Sequence, residues 1–286
     1  MALIAASLRG GLVRIALLRG DELAEFYLWN RDAPDGVGDI YTGRVVSVEK
    51  ALAGCFIALG GEVSGFLPDS ARARHLTEGQ YISVCVTRAA QGGKGPRLAL
   101  AEAPPASTPG LTSHGPGPLV ELAERFPAED IMLDDYALMA DLRPALEGRM
   151  RHAAKAIDAV LEDEIASLGE PTAALPHGAR LHITPAPAAT LLDIDAAAAS
   201  HMPPLALNTA IIPEICRQIV LRNLSGGILI DFAGLKAAQR QKLLPPLREA
   251  LKHDPLGPTL LGLSHLGFAE INRRRVRPPL HEMMNG

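Results

Sequence analysis

Two aspartates follow similar apolar segments of the sequence. Asp193 ends TLLD and Asp231 ends GILID, so each carboxylate stands at the carboxyl end of a predicted buried strand. Sites in open α/β sheets form outside these strand ends, and paired carboxylates there suit Mg²⁺, which binds one or two carboxylates and keeps several waters. Asp195 projects from the same face of an extended strand as Asp193 and offers another oxygen ligand. Each aspartate can equally cap a strand or a helix, so the spacing alone leaves both roles open.

Aromatic residues are few, with one Trp, four Tyr and six Phe in the whole chain. Phe56 and Phe66 fall in adjacent predicted strands. Aromatic side chains exposed on a small barrel stack single-stranded bases, each worth about 1–3 kcal/mol, whereas buried ones belong to the barrel core. Lys94 lies in the flexible loop GGKG, where its ammonium group can reach a phosphate or stay solvated.

Basic residues cluster near the end of the sequence. The segment NRRRVR, residues 272–277, has four arginines among six residues and belongs to a predicted helix from Phe268 to Arg277. A basic helix face can grip phosphates, and it can also be an ordinary solvated surface. The sequence has no Walker loop, no Ser–His–Asp order and no HExxH motif, and its nine histidines lack metal-ligand spacing.

The elements that position these residues change along the chain. Short strands separated by glycine turns are predicted in residues 2–30 and again in 39–100, and about five strands in the second range suit a small closed barrel of the OB type. The segment from Ala103 to Pro118 is rich in Pro, Gly, Ser and Thr. Because such residues hold little regular structure, it is predicted to be a linker or an exposed crossover.

Helices and strands then alternate, which predicts an α/β layer in the last third of the chain. Helices are predicted over Tyr136–Leu168 with a break at Pro144, over Asn208–Leu224 with a start near Pro213, and over Leu235–Lys252. ARLHIT and TLLDID are predicted to pair as a hairpin, and GILIDF and TLLGLS to form strands.

Charge and composition narrow the function classes. The chain has 286 residues, a net charge of −4 and 48% hydrophobic residues, as expected for a globular protein of two or three domains. Residues 102–190 have a net charge of −8, whereas residues 37–101 and 231–286 have +2 and +4, so the whole-chain charge does not exclude nucleic acid. Three scattered cysteines argue against a disulfide framework, and no apolar run reaches membrane-spanning length. We expect a cytoplasmic protein without membrane association, because the few cysteines fit a reducing compartment. The N-terminus also lacks the basic start of a signal peptide.

Several segments together resemble the bacterial ribonuclease E/G endoribonucleases. DIYTGRV, GCFIALGGEVSGFLP and EGQYISVCVTRAAQGGKGPRL resemble that family's OB-type RNA-binding barrel. LPHGARLHITPAPAATLLDIDAAAAS and ICRQIVLRNLSGGILIDF are similar to the stretches that hold its first and second catalytic aspartates. LSHLGFAEINRRRVRPPLHE is similar to the segment that closes its catalytic domain. The similarity covers almost the whole chain in order.

The resemblance implies a multidomain α+β fold, with an OB-type β-barrel inserted in an RNase H-like subdomain and followed by a DNase I-like α/β catalytic domain. The RNase H-like subdomain would take residues 1–36 and 129–178, the barrel 37–102, the linker 103–128 and the catalytic domain 179–286. The implied activity is metal-dependent hydrolysis of single-stranded RNA to 5′-phosphate and 3′-hydroxyl ends, in RNA processing or decay. The alternative is a catalytically weak or inactive RNA-binding protein on the same fold.

The resemblance also assigns site residues. Asp193 and Asp231 match the catalytic ligands of Mg²⁺, for which Mn²⁺ can substitute, and Asp195 stands where the family usually has Asn. Thr42 and Leu59 replace a common Lys and a common aromatic residue, which predicts a weaker RNA face. The predicted RNA-binding residues are Phe56, Phe66, Lys94, Arg44, Asn208, Arg273 and Arg275.

Two features of the family have no counterpart in the sequence. The domain that senses a 5′-monophosphate, which follows the barrel in the family, is replaced by the Pro/Gly-rich segment, and no CPxC zinc-binding link follows the catalytic region. We therefore expect cleavage that is independent of the 5′ end. We also expect no zinc, and a monomer or weak homodimer in place of a zinc-linked dimer.

Overall fold

The N-terminal strands form an antiparallel meander, as predicted. The computed structural model describes residues 2–199 and 202–284. In it, β1 (Ala2–Arg9), β2 (Leu12–Arg19) and β3 (Glu22–Asn30) pair in sequence order. Val13, Ile15 and Leu17 of β2 are buried on one face of this first sheet and Ala16 on the other, because helices from later in the chain pack against both faces.

The following segment closes on itself as a barrel. Its strands are β4 (Ile40–Glu49), β5 (Gly54–Gly60), β6 (Val63–Pro68), β7 (Tyr81–Arg88) and β8 (Arg97–Leu100). They pair in the order β5-β6-β8-β7-β4, and a further pairing of β5 with β4 completes the closure. The short strand β9 (Gly110–Ser113) adds to the edge of β4. The predicted small closed barrel of OB-like form is therefore confirmed, with a core that includes Ile57, Leu67 and Leu98.

The chain then returns to the first sheet. It forms α1 (Gly117–Arg125), β10 (Ile131–Leu133), α2 (Tyr136–Leu146), β11 (Met150–His152) and α3 (Ala159–Ser167), and the sheet order becomes β11-β10-β1-β2-β3. The segment predicted as a linker, residues 103–128, thus contains β9 and all of α1, because the apolar residues of α1 pack into the core of this sheet. The single broken helix predicted over 136–168 is wrong, since β11 separates α2 from α3 and α2 runs through Pro144 to Leu146.

The last third of the chain builds a six-stranded sheet, called here the third sheet. Its elements are β12 (Thr172–Ala174), β13 (Arg180–Pro185), β14 (Ala189–Asp195), α4 (Pro204–Leu221), β15 (Gly226–Asp231), α5 (Ala237–Arg240), α6 (Leu244–Leu251), β16 (Thr259–Leu263), β17 (Ala269–Arg273) and α7 (Leu280–Met284). The strand order is β12-β13-β14-β15-β17-β16, with β14 and β15 parallel. The predicted hairpin is confirmed, because β13 and β14 pair antiparallel.

Two helix predictions need correction in this sheet. The segment predicted as a helix from Phe268 to Arg277 contains β17, because its buried positions alternate with a period of two. Helix α4 begins at Pro204, nine residues before Pro213, which it includes. Its long apolar face packs against the third sheet and holds the helix together despite the hydrogen bond that Pro213 cannot donate. No helix in the described ranges is long and apolar enough to cross a membrane.

Hydrogen bonds tie the barrel and the first sheet to the end of the chain. Arg277 donates to Asp35 at 2.8 Å and to both carboxylate oxygens of Glu121 at 2.9 Å. The backbone N–H of Ala89, just after β7, donates to the carbonyl of Val276 at 2.8 Å. These bonds fix the segment after β17 against the barrel.

Candidate functional site

The two strand-end aspartates lie side by side. Strands β14 and β15 are parallel neighbours, and Asp193 is the register partner of Asp231. Neighbouring strands lie about 4.8 Å apart, so the two carboxylates leave the sheet next to each other at the carboxyl ends of both strands. Leu192 and Ile230 point into the core under α4, which turns the aspartates toward the open face of the third sheet. Asp193 is exposed and Asp231 is half-buried.

Asp231 is paired with a cation of its own chain. Its Oδ1 accepts a 2.7 Å hydrogen bond from Nη1 of Arg240, the last residue of α5. Arg240 is held in turn by the carbonyls of Gly267, at 2.9 Å, and Leu235, at 3.1 Å. Gly267 has a φ of +90°, and a Cβ there would lie 3.3 Å from the Arg240 side chain, so the absence of a side chain gives the arginine room. Arg240 was not predicted as a site residue, because it lies nine residues beyond Asp231 in sequence and only the folding of the intervening loop brings the two side chains together.

Asn208 is a buried connector between α4 and the segment that follows Asp231. Its Nδ2 donates to the carbonyl of Pro204 at 2.7 Å and to that of Ala233 at 2.9 Å, and the residue is fully buried. Its Oδ1 is also buried and has no hydrogen-bond partner in the described residues. The prediction that Asn208 contacts RNA does not fit this burial, and the residue instead anchors the loop behind the aspartates.

Other side chains share the open face of the third sheet. Asp195 is exposed two residues beyond Asp193, opposite Arg180 in the antiparallel partner strand, and His182 is the register partner of Asp193 in that strand. Successive odd-numbered residues of β14 face the same way, so Asp193 and Asp195 lie on one side of the sheet. Within residues 2–199 and 202–284, no cluster of three or more His, Cys, Asp or Glu side chains suited to a metal ion occurs. The face therefore offers a pair of adjacent carboxylates with a third one nearby.

Phe56 and Phe66 form an aromatic pair on the outside of the barrel. They are register partners on β5 and β6, with ring centroids 5.4 Å apart in an edge-to-face arrangement. Phe56 is 36% exposed and Phe66 is half-buried, because their neighbours along each strand face the core. A Cβ on Gly54 would lie 2.5 Å from the Phe66 ring, so the absence of a side chain at Gly54 leaves room for that ring. The pair thus presents ring faces and edges to solvent.

The other two barrel residues predicted to bind RNA are also at the surface. Lys94 is exposed and closes a tight turn in which its N–H and carbonyl pair with those of Gln91. Gly92 and Gly93 between them have positive φ values of 57° and 71°, which explains the GGK sequence. Arg44 is exposed on β4, opposite Tyr81 of β7. Both cations are placed where a polyanion can reach them.

Arg273 does not lie on an exposed basic helix face. It is 2% exposed in β17 and forms a buried ion pair with Asp254, with Nε–Oδ2 and Nη2–Oδ1 distances of 2.6 and 3.1 Å. Its Nη1 donates to Asn223 and Leu224 as well. The prediction of Arg273 as an RNA contact does not fit this environment. Arg275, two residues further on, is exposed.

Comparison with known proteins bears on the region that holds the aspartates. Residues 130–276 match the model of the ribonuclease E/G family. This range is just over half of the chain and includes β14, β15 and both strand-end aspartates. The barrel lies outside the matched range.

Curated relatives agree with this match. Ribonuclease E from Escherichia coli is 33% identical over 128 residues, which are 43% of this chain and 12% of that protein. Ribonuclease E from Synechocystis is 32% identical over 120 residues, or 40% of this chain and 18% of the relative. Ribonuclease G from Salmonella typhimurium is 32% identical over 130 residues, or 43% and 27%. The aligned regions thus span less than a third of each relative. With the family match over half of its length, the chain belongs to the ribonuclease E/G family.

Proposed function

We propose that the chain is a metal-dependent endoribonuclease that hydrolyses single-stranded RNA. The observation that carries the proposal is the register pairing of Asp193 and Asp231 at the ends of two parallel strands, within the region that matches the family. The expected products have 5′-phosphate and 3′-hydroxyl ends. The finer assignment is also a proposal: an RNase H-like subdomain around the first sheet and a DNase I-like catalytic domain on the third.

The donor set fits a divalent cation. Mg²⁺ prefers oxygen ligands and binds through one or two carboxylates while it keeps waters and accepts substrate phosphate oxygens. Asp193 and Asp231 would hold it, with Asp195 near enough along the strand to act directly or through water, and Mn²⁺ suits the same ligands. When bound, such an ion polarises a phosphodiester and makes a coordinated water more acidic.

Arg240 and Asn208 would position this pair without touching the substrate. Arg240 fixes the rotation of the Asp231 carboxylate through its hydrogen bond to Oδ1. A carboxylate has two oxygens, so the other oxygen can still face a cation. Asn208 ties α4 to the backbone at Ala233, two residues beyond Asp231. Together they keep the aspartate at the strand end where a phosphate can approach from solvent.

The barrel would hold the RNA. Phe56 and Phe66 offer exposed ring surface for stacking, and only unpaired bases have free faces to stack on them. Lys94 and Arg44 are exposed cations on the same barrel and can neutralise phosphates. We therefore propose single-stranded RNA as the substrate class.

The cleavage assay uses a labelled single-stranded, AU-rich oligoribonucleotide with Mg²⁺, and with EDTA as the control. Asp231→Asn should lose cleavage and keep RNA affinity, because the amide replaces an anionic ligand without changing the barrel. Asp163→Asn changes an exposed aspartate of α3 and should cleave like the wild type. Retained cleavage by Asp231→Asn would refute the metal assignment. Mn²⁺ binding measured by electron paramagnetic resonance gives a second readout, and it should weaken in the same variant.

Independence from the RNA 5′ end is a further part of the proposal. The chain passes from β8 to α1 through β9 and short loops, and this path contains no separate domain in the described residues. Cleavage rates of the same oligonucleotide with a 5′-monophosphate and with a 5′-hydroxyl should therefore agree. A large preference for the monophosphate would contradict this expectation.

Two observations favour the alternative of a catalytically weak RNA-binding protein. The Asp231 carboxylate already has a cationic partner in Arg240, and Asp195 adds negative charge where the family usually has a neutral Asn. Magnesium-dependent cleavage that EDTA abolishes would exclude this alternative. RNA binding without cleavage, over a range of Mg²⁺ and Mn²⁺ concentrations, would establish it.

A further inference from the structure

A row of side chains crosses four strands on the outer face of the barrel. Phe56 on β5 is the register partner of Phe66 on β6, Phe66 is the partner of Arg97 on β8, and Arg97 is the partner of Arg88 on β7. Register partners point to the same side of a sheet. Leu67 and Leu98, which neighbour Phe66 and Arg97 along their strands, are buried in the barrel core, so this side is the outer one.

The row continues into the segment after the third sheet. Arg275 lies there, and the hydrogen bond from the N–H of Ala89 to the carbonyl of Val276 joins the residues next to Arg88 and Arg275. The pKa of the Arg88 guanidinium is lowered, first by burial and then by repulsion from Arg97 and Arg275, which places both of those charges near Arg88.

Among the described residues, Arg88, Arg97 and Arg275 have no acidic partner. Other arginines differ in this respect, since Arg14 and Arg273 form ion pairs and Arg222 donates to backbone carbonyls. The Nε atom of Arg88 and the Nε2 atom of Gln91, three residues further on, are buried without hydrogen-bond partners. Arg275 is packed against the backbone of Gly226, where a Cβ would lie 2.4 Å from Nη2. Three like charges held together without a counterion favour an external anion.

We propose that Arg97, Arg88 and Arg275 bind successive phosphates of an RNA single strand whose bases stack on Phe56 and Phe66. The inference deepens the proposed function, on which it rests, because it names the path of the strand from the barrel toward the third sheet. Adjacent strands lie about 4.8 Å apart, so the four barrel residues span about 14 Å across the sheet. The aromatic end of the row distinguishes a nucleic acid from an acidic peptide, since a peptide of glutamates has no bases to stack.

The test measures how salt weakens binding. The probe is a fluorescein-labelled AU-rich oligoribonucleotide of about twelve nucleotides, within the site size of an OB fold, and binding to the full chain is followed by anisotropy. Each phosphate contact to a single strand contributes about 0.7 to the slope of log affinity against log salt concentration. Arg97→Gln, Arg88→Gln and Arg275→Gln should each lower the slope by about that amount, and the triple variant by about 2.

Controls separate charge from folding. Arg143→Gln removes an exposed arginine of α2 that has no ion-pair partner in the described residues, and it should leave the slope unchanged. Arg97→Lys keeps the charge and should restore most of the slope, whereas a merely structural loss would not be rescued. Unchanged slopes in all three Gln variants, or equal competition by poly-L-glutamate and unlabelled RNA, would overturn the proposal.

The outcomes for the row and for the nuclease activity are distinguishable. If the wild type cleaves RNA and the Gln variants keep the wild-type slope, the row is refuted while the proposed activity stands. If the Gln variants lower the salt slope of RNA binding but the wild type never cleaves RNA, the proposed arginine contacts are supported and the proposed nuclease activity is refuted. A wild-type chain that does not bind the probe refutes both.

Discussion

Removing the Arg273 guanidinium should destabilise the third sheet strongly. Arg273 is 2% exposed and its partner Asp254 is similarly buried. In Arg273→Met, the Asp254 carboxylate loses two charge-assisted hydrogen bonds, and the Asn223 amide oxygen and the Leu224 carbonyl each lose one. Breaking one partner of a buried ion pair costs about 3–5 kcal/mol, because the remaining charge stays buried without compensation.

Urea unfolding followed by far-UV circular dichroism measures this cost. The midpoint of Arg273→Met should fall while the slope of the unfolding free energy against urea stays the same, as for a change in stability alone. Arg274→Met is the matched control, because Arg274 is exposed and its side chain donates a hydrogen bond to the carbonyl of Leu256 at the surface. Its free energy of unfolding should change by less than about 0.5 kcal/mol.

Two results would refute this account of Arg273. A loss below about 1 kcal/mol, the size of a surface pair, would mean that the charge of Asp254 is solvated. A decrease of about 0.7 in the slope of log RNA affinity against log salt concentration in Arg273→Met would mean that Arg273 contacts a phosphate. The double variant with Asp254→Leu should recover part of the stability, because no charge is then left in the core. The recovery is partial, since Asn223 and Leu224 still lack their donor.

Three further predictions follow from local contacts. Glu162 has a lowered pKa, chiefly because it accepts hydrogen bonds from Arg14. Its contribution to stability is therefore present above its ordinary pKa of 4.5 and is lost as the pH falls through the lower folded value. Glu162→Gln should reduce this loss of stability in acid, as measured by thermal melts from pH 6 to about 3. Burial raises the pKa of the Cys216 thiol to about 12, so the native chain at pH 8 should react slowly there with a thiol reagent, and guanidinium should speed the reaction. Gly54→Ala should shift the Phe66 ring, cost about 1–3 kcal/mol and weaken RNA binding; equal affinity to the wild type would exclude a role for that ring.

Local patterns were sufficient to predict the strand ends of the site. An apolar run that ends in Asp describes β14 and β15 without reference to any other part of the chain. Alternating strands and glycine turns likewise predicted the barrel, because each strand buries one side and turns at its glycines. The register that sets Asp193 beside Asp231 is a tertiary property, and the resemblance to a family, not the spacing, indicated it in advance.

The four arginines of residues 272–277 show what the sequence could not predict. They have the same side chain, but their environments differ. Arg273 is buried in an ion pair, Arg274 is exposed, and Arg275 packs on Gly226. Arg277 donates to Asp35, in the segment between β3 and β4, and to Glu121 of α1. Arg273 is the last residue of β17 and is buried, whereas Arg274 lies just beyond the strand and is exposed. Their partners lie far away along the chain, so a basic run predicts charge without predicting whether that charge is free. Arg240 escaped prediction for the same reason.

The pairing of Asp231 with Arg240 bears on how a metal site of this kind would work. Two adjacent carboxylates repel each other, and in this chain an arginine offsets one of them while Asp193 stays in contact with water. A cation that binds the other oxygen of Asp231 would thus gain less attraction than it would from a carboxylate without a cationic partner. In the proposed mechanism, the remaining attraction comes from the phosphate oxygens of the substrate, which Mg²⁺ readily accepts as ligands. On this proposal, RNA held on the barrel would help to assemble the metal site on the third sheet, so the barrel would contribute to metal affinity as well as to substrate affinity.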